Sequence, residues 1–455
     1  MEFFTIMSNE IEGRIDPFYY RPEFRELKSA LLKLKHKPLG EIIEFSSETW
    51  NQKDFFDGEF PYIEISEIDT ATGEIKNIIY YEKDKAPSRA KMIVRENDII
   101  VSITRPHRGA IALIDKSKDG FIASTGFAIL RKLKIELNKK YLLFILRVQL
   151  SLKQMLQRSS GGNYPAITSE ELKKIIIPLP PLSVQNRIVS LMEKAYSSKK
   201  SKETETQKLL DSINDYVLDE LGIKLPELED KMIYVVNSDD VKDKRIDAYY
   251  YQPKFEEIEK AVKKGKFEVR ELREFIVKIY YGASVKNEYV DDGIPLLRIV
   301  NLKPNKFDLR EVVKLPESIR KDLGNAFVKE GDLLISRSGT VGMVSVVPKE
   351  ADGFAFGSFM IKFCLNEIVN KNYISAWLNT KLQKLLTERD KIGAIQGNIT
   401  IETIENFKIP LPPLAVQNKI AEEIKKRMQK TEQLQKEAKE ELEKAKQEVE
   451  KIILG

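Results

Sequence analysis

The chain repeats itself once, end to end. Ile177–Asn186 reads IPLPPLSVQN and Ile409–Asn418 reads IPLPPLAVQN, identical except at one position, at an offset of 232 residues (409 − 177). Arg14–Phe24 (RIDPFYYRPEF) returns as Arg245–Phe255 (RIDAYYYQPKF), Val94–Ser102 (VRENDIIVS) as Val328–Ser336 (VKEGDLLIS), and Asn138–Tyr141 (NKKY) as Asn370–Tyr373 (NKNY). The offsets drift by only a few residues, whereas the segments between the matching blocks differ freely. A tandem repeat of this kind fixes domain number without any outside comparison, and it predicts one backbone plan used twice, carrying variable loops.

Each copy reads as mixed α and β. Apolar runs at Tyr62–Ile65, Ile99–Ser102 and Ile111–Ile114 are bounded by Gly, Asn-Asp and Pro, the punctuation of strands. A helix is expected from Asn138 as N-cap to about Gln157, with a partner starting near Asn370. Each PLPPL segment then leads into a stretch free of proline and glycine, Ser183 to about Leu221 and Ala415 to Leu454. In the second stretch a 4-3 apolar spacing runs through Ala421, Ile424, Met428, Thr431, Gln435, Ala438, Leu442, Ala445, Val449 and Ile452, as a coiled-coil seam requires. The first keeps that phase at Val189, Met192 and Tyr196, then at Thr206, Leu210, Ile213 and Val217, but SSKKSKETE in its middle puts Lys199 and Glu203 on the seam. Alternating Lys and Glu more often mark a solvated face; two equal helices with apolar seams, each following an equal domain, bury those seams most simply against each other. At 1.5 Å per residue each helix is a spacer roughly 60 Å long. The expected fold is α+β: a target-binding domain over 1–182, a helix over 183–223, a linker and second domain over 224–414, and a second helix over 415–455, the helices pairing antiparallel.

Composition excludes several functions. A 455-residue chain with 42% apolar and 32% charged residues has no apolar run near the ~18 residues of a membrane span. The start, MEFFTIMSNE, lacks the cationic region of a signal peptide, so a cytoplasmic location is expected. One cysteine, Cys364, reads as a packing residue, and two histidines, His36 and His107, leave no Cys/His zinc site. The net charge of +5 suits a polyanion but decides little alone.

If the polyanion partner is DNA, reading its sequence needs Arg or Lys toward guanine and Asn or Gln toward adenine, on loops that differ between the copies. In the first copy the candidates are Arg89 and Lys91 in SRAK, Arg105, His107 and Arg108 in TRPHRG, and Arg158, Asn163 and Tyr164 in QRSSGGNYPAIT. In the second they are Tyr280, Tyr281 and Lys286 in IYYGASVKN, Arg337, Ser338 and Thr340 in SRSGTVG, and Gln396 and Asn398 in GAIQGNIT. TRPHRG lies opposite SRSGTVG, and GGNYPAIT opposite GAIQGNIT. Tyr249–Tyr251 and its twin Phe18–Tyr20 keep one character and read as packing.

With the helices announced by Pro178–Leu182 (then Gln185 and Ile188) and Pro410–Leu414 (then Gln417 and Ile420), nearly the whole chain resembles the specificity subunits of type I restriction-modification systems. Where members of that family usually carry Glu before the Gln, this chain has Val184 and Val416. The resemblance implies a DNA-binding subunit without a catalytic site, each domain reading one half of a bipartite double-stranded target. It implies two methyltransferase subunits and restriction/motor subunits as partners, with S-adenosylmethionine, ATP and magnesium on those partners and no cofactor here. The motifs agree: both Pro-Pro pairs follow Leu rather than Asn or Asp, and Gly265-Lys266 precedes Phe267 without the upstream glycine of a phosphate loop. Glu-x-Lys tripeptides such as Glu171–Lys173 and Glu423–Lys425 are frequent at this charge content and read as surface. The alternative reading is a coiled-coil scaffold that binds DNA without sequence preference.

Overall fold

The computed structural model describes residues 5–6, 11, 14–51, 56, 58–241, 245–286, 288–393 and 397–455, with Asp239 and Asp240 described by backbone alone. Contacts divide the chain into two units, 1–203 with 436–455, and 204–435. Both expected long helices are present, at Leu182–Leu221 and Leu414–Leu454, and each is divided between the units. None of the described helices is long and apolar enough to cross a membrane.

In the first unit an antiparallel sheet runs in the order Ile43–Ser46, Phe127–Leu133, Ile99–Ser102, Ile111–Leu113. A second sheet runs Ile79–Glu82, Glu59–Ile63, Ile122–Ser124, Ala90–Ile93, with its central pair parallel. The second unit repeats the first sheet as Ile276–Tyr281, Met360–Leu365, Leu333–Ser336, Val344–Val346. Its second sheet keeps three strands, Val313–Leu315, Ile294–Leu297 and Ala355–Phe356, the last pair again parallel. The repeated acid of ENDIIVS and EGDLLIS has one job in both: Asp98 accepts from the Arg95 amide at 2.8 Å and Asp332 from the Lys329 amide at 2.9 Å. Each buried carboxylate then takes a cation from the neighbouring strand, Arg131 at 3.0 Å and Lys362 at 3.5 Å. Cys364 packs beside the second pair, where burial and the Asp332 carboxylate push its thiol up to about 11.

The helix expected over 138–157 is two helices, Lys139–Leu146 and Gln149–Gln157. Both are buried on nearly every side, so the apolar run passes through the break without a change of period. Arg147 marks it. Only 3% exposed, Arg147 turns away from the helix to donate to the carbonyls of Thr70 and Thr72 and lies 5.4 Å from the Tyr196 ring. That close approach requires Gly73, at φ +72°, where an added Cβ would meet the Arg147 guanidinium and the Ile111 carbonyl.

The repeated PLPPL-x-x-Q segment is a clamp. Buried Gln185 accepts from the Asn138 amide at 3.0 Å and donates to the Pro180 carbonyl at 2.9 Å, while Tyr141 donates to the Pro178 carbonyl at 2.7 Å. Gln417 repeats this with Asn370 at 2.8 Å and Pro412 at 2.9 Å, and Tyr373 with Pro410 at 2.5 Å. The Pro180 and Pro412 carbonyls lie between strand and helix, so one side-chain amide satisfies both that carbonyl and the amide of the Asn that caps the neighbouring helix. Val184 and Val416 are half-buried and pack on the core of their own unit, which gives an apolar side chain a reason to stand at both places. The RID-x-x-YY segment is a second clamp. Arg14 donates to the Arg158 and Ser159 carbonyls and Tyr20 to the Arg14 carbonyl; Arg245 and Tyr251 repeat the pattern on Arg389 and Arg245.

The helices pair antiparallel. In the first unit Ser198 donates to Glu441 at 2.6 Å and Lys202 joins Glu441 and Glu437; in the second Arg427 donates to the Ser212 carbonyl at 2.8 Å and Lys419 meets Glu220 at 2.7 Å. Each domain thus holds the start of its own helix and the far end of the other copy's helix. Leu442, Ala445, Val449 and Ile453 join the core built by residues 39–195, and Ile213, Val217, Leu218 and Leu221 join that of residues 255–428. Even the caps cross over. Glu450 accepts from the Leu150 amide at 3.1 Å at the start of Gln149–Gln157, and Asn214 from the Lys381 amide at 2.8 Å at the start of Lys381–Arg389. Two seam positions differ from expectation: Leu434 is buried and Gln435 exposed, and Ile453 is more deeply buried than Ile452. The polar stretch of the first helix makes ion pairs, Lys199 with Glu203 and Lys202 with two glutamates, in place of apolar contacts.

Candidate nucleic-acid interface

In the first unit the loops TRPHRG and SSGGNYPAIT are brought together. The Arg105 amide donates to the Pro165 carbonyl at 2.7 Å and the Ile167 amide to the Ile103 carbonyl at 2.9 Å, and Thr104 and Ala166 form a bridge. Between the loops lies a cavity of about 640 Å³ lined by Arg105, His107, Arg108, Gly161, Gly162 and Asn163, among others. Arg105 is left-handed at φ +48°, an uncommon state for a residue with a Cβ and one found more often where function demands it. Its guanidinium lies 4.0 Å from the Tyr164 ring and donates to the Asn163 carbonyl at 3.2 Å. Tyr164, Asn163 and Arg108 are exposed. The His107 Nδ1 is buried with no hydrogen-bond partner, and burial, with Arg108 and Arg105 beside it, lowers the imidazole pKa below its ordinary value. The shift favours the neutral ring, which has one nitrogen to donate and one to accept.

Arg89 and Lys91 are exposed, and hydrogen bonds tie the backbone of Arg89 toward this rim: the Thr125 amide to the Arg89 carbonyl, then the Ile103 amide to the Gly126 carbonyl, both 2.8 Å. Arg158 does not belong there. It is half-buried, ion-paired to Glu171 at 2.9 Å, and its backbone carbonyl receives Arg14, so it serves the frame.

In the second unit Arg337, Tyr281 and Asn398 converge. The Ile399 amide donates to the Arg337 carbonyl at 3.1 Å, the Arg337 amide to the Phe359 carbonyl at 2.9 Å, and the Arg337 guanidinium lies 4.8 Å from the Tyr281 ring. Tyr281 in turn accepts from the Ile401 amide at 3.3 Å. Gly282 allows the approach, since an added Cβ would lie 2.2 Å from the Gly357 carbonyl oxygen. Thr340 and Lys286 are exposed, Asn398 is half-buried with its backbone paired to Ile392, and Ser338 is buried at 4% exposure. Burial leaves the Ser338 side chain little surface to offer a ligand. Gln396 lies outside the described residues. Phe359 escaped sequence reasoning: it stands 51% exposed beside Arg337, and only an aromatic in an otherwise small-residue turn, FGSF, marked it.

The loops are equivalent, but their arginines are not. The partner of Ile167 is Ile103 and the partner of Ile399 is Arg337, so Arg337 occupies the place of Ile103, two residues before Arg105. The two rims therefore present different side chains on one frame.

The sequence matches, over residues 33–211 and 254–444, the family described as the type I restriction modification DNA specificity domain. The chain belongs to this family. Among its relatives, the type I restriction enzyme MjaVIII specificity subunit of Methanocaldococcus jannaschii is 26% identical over 385 residues, 80% of each chain. The putative type I restriction enzyme MjaX specificity subunit of the same organism is 25% identical over 95% of this chain and 92% of its own. A solved chain, from work on complex assembly and conformational transition of the type I R-M system, matches with a TM-score of 0.52 at 20% identity over 92% of this chain and 96% of its own, a likeness of fold.

Proposed function

We propose that this specificity-family chain reads a bipartite double-stranded DNA target, one half-site per recognition unit, and directs partner subunits that carry the chemistry. The observation that carries the reading is the pair of matched frames ending in unmatched polar rims. A frame kept twice and loops varied twice is what two half-sites of different sequence require. In the first rim Arg89, Lys91, Arg105, His107, Arg108, Asn163 and Tyr164 are the DNA-facing residues; in the second Tyr281, Lys286, Arg337, Thr340, Asn398 and Phe359 are. As partners we infer two methyltransferase subunits, with restriction subunits in the full complex, a reading supported by relatives named as specificity subunits of type I restriction enzymes. S-adenosylmethionine, ATP and magnesium then belong to those partners, and this chain acts in the cytoplasm as a non-catalytic subunit. The test is to combine the full chain with its cognate methyltransferase subunit and map methylated adenines at single-base resolution. Protection of one bipartite sequence is expected; methylation without sequence preference would leave only a scaffold that binds DNA by charge.

A further inference from the structure

We propose that each recognition unit reads a guanine with an arginine laid on a tyrosine ring, Arg105 on Tyr164 in the first and Arg337 on Tyr281 in the second. The inference rests on the DNA-reading role above and names the base class it serves. Both guanidinium groups sit over a ring, at 4.0 and 4.8 Å, at the rim where two loops meet. Neither makes an ion pair among the described residues, whereas Arg158 is spent on Glu171 and Arg389 on Glu259, although each also lies near a ring. Arg105 uses one N–H on the Asn163 carbonyl, and the Arg337 Nε is buried with no acceptor.

The two units reach this arrangement by different routes. Arg337 stands where the first unit has Ile103, and the rings come from different elements: Tyr164 from the loop after Gln149–Gln157, Tyr281 from the end of strand Ile276–Tyr281. A shared ancestor of the two copies does not supply a stack built from non-matching positions, so the recurrence points to a shared task. A ring beneath a guanidinium fixes its plane and leaves its edge free, as paired donation to the N7 and O6 of guanine needs. A phosphate contact needs charge but no fixed plane, and exposed Lys91, Arg108 and Lys286 can supply that charge.

The tyrosines are positioning residues. The experiment selects binders from a pool of double-stranded oligonucleotides with randomised centres, using the full chain and its Arg105→Lys and Arg337→Lys variants. Wild type should enrich a guanine in each half. Each Lys variant keeps the charge and should lose that guanine preference in its own half only, by roughly 10- to 100-fold. Replacing the selected guanine by 7-deazaguanine, which lacks the N7 acceptor, should weaken wild type and leave the matching Lys variant nearly unmoved. Tyr164→Phe should keep the preference and Tyr164→Ala reduce it. Retained guanine preference in both Lys variants, or loss spread evenly over all sequences, would overturn the stacked-arginine reading while the bipartite role stands. If wild type enriches no sequence, the DNA-reading role itself falls, and this inference with it.

Discussion

The two recognition units differ most where they should differ least if the repeat were merely inherited, and agree most where nothing but structure is at stake. Gln185 and Gln417, Tyr141 and Tyr373, and Arg14 and Arg245 make the same hydrogen bonds with the same partners, while the rims share a backbone path and little else. The loop TRPHRG carries Arg105, His107 and Arg108 within four residues; its counterpart SRSGTVG carries Arg337 alone among uncharged neighbours. Frames and rims are thus under separate demands, packing on one side and recognition on the other.

The largest expected effect tests the exchange of helix ends. Leu442→Ala empties a position at 1% exposure and should cost about 3 kcal/mol, and Leu218→Ala, at 2%, should cost about as much. Hydrogen exchange should locate the damage: Leu442→Ala loosens Ile99–Ser102 and spares Leu333–Ser336, and Leu218→Ala does the reverse. If each variant loosened the domain that precedes it in the chain, the exchange would be wrong. Next come the clamps. Gln185→Ala leaves the Asn138 amide and the Pro180 carbonyl without partners and should cost ~2–3 kcal/mol in thermal unfolding, with Gln417→Ala matching it closely. Unequal losses would mean that the frames are less alike than their hydrogen bonds.

The smallest effect distinguishes the units by pH. Burial works against ionising Asp69, but the Thr72 and Ala71 amides at 2.8 Å and Lys76 at 3.0 Å outweigh it and lower the carboxyl from 3.8 to about 2. A lowered folded-state pKa contributes stability that is present above pH 4 and lost between about pH 4 and 2. Asp69→Asn should therefore cost on the order of 1–2 kcal/mol at pH 7 in the first unit and nothing extra below pH 2. Melting curves against pH check it; a pH-independent loss would assign Asp69 a role other than its charge.

Much of this was legible in the residues, for stated reasons. The repeat, the long helices and the two loop pairs follow from matching blocks and from stretches without proline or glycine. Three features were not. The apolar seam of a helix says that it pairs but not which core its far end joins, so the placement of Leu442 and Leu218 needed the structure. The break at Arg147 hides within helices buried all round, where no polar face interrupts the pattern. Arg158 carries the residue type of a base reader, yet Glu171 lies thirteen positions on, and only the fold brings the pair to 2.9 Å. For the same reason Ser338 read as a loop donor and is buried, and Leu434 rather than Gln435 is the buried position.

The central claim is that each unit reads its own half-site. The most direct measurement maps adenine methylation at single-base resolution for complexes carrying wild-type chain and carrying Arg108→Ala with Asn163→Ala, both on the first rim. A changed or relaxed first half beside an unaltered second half is the predicted result; both halves changing together would contradict it.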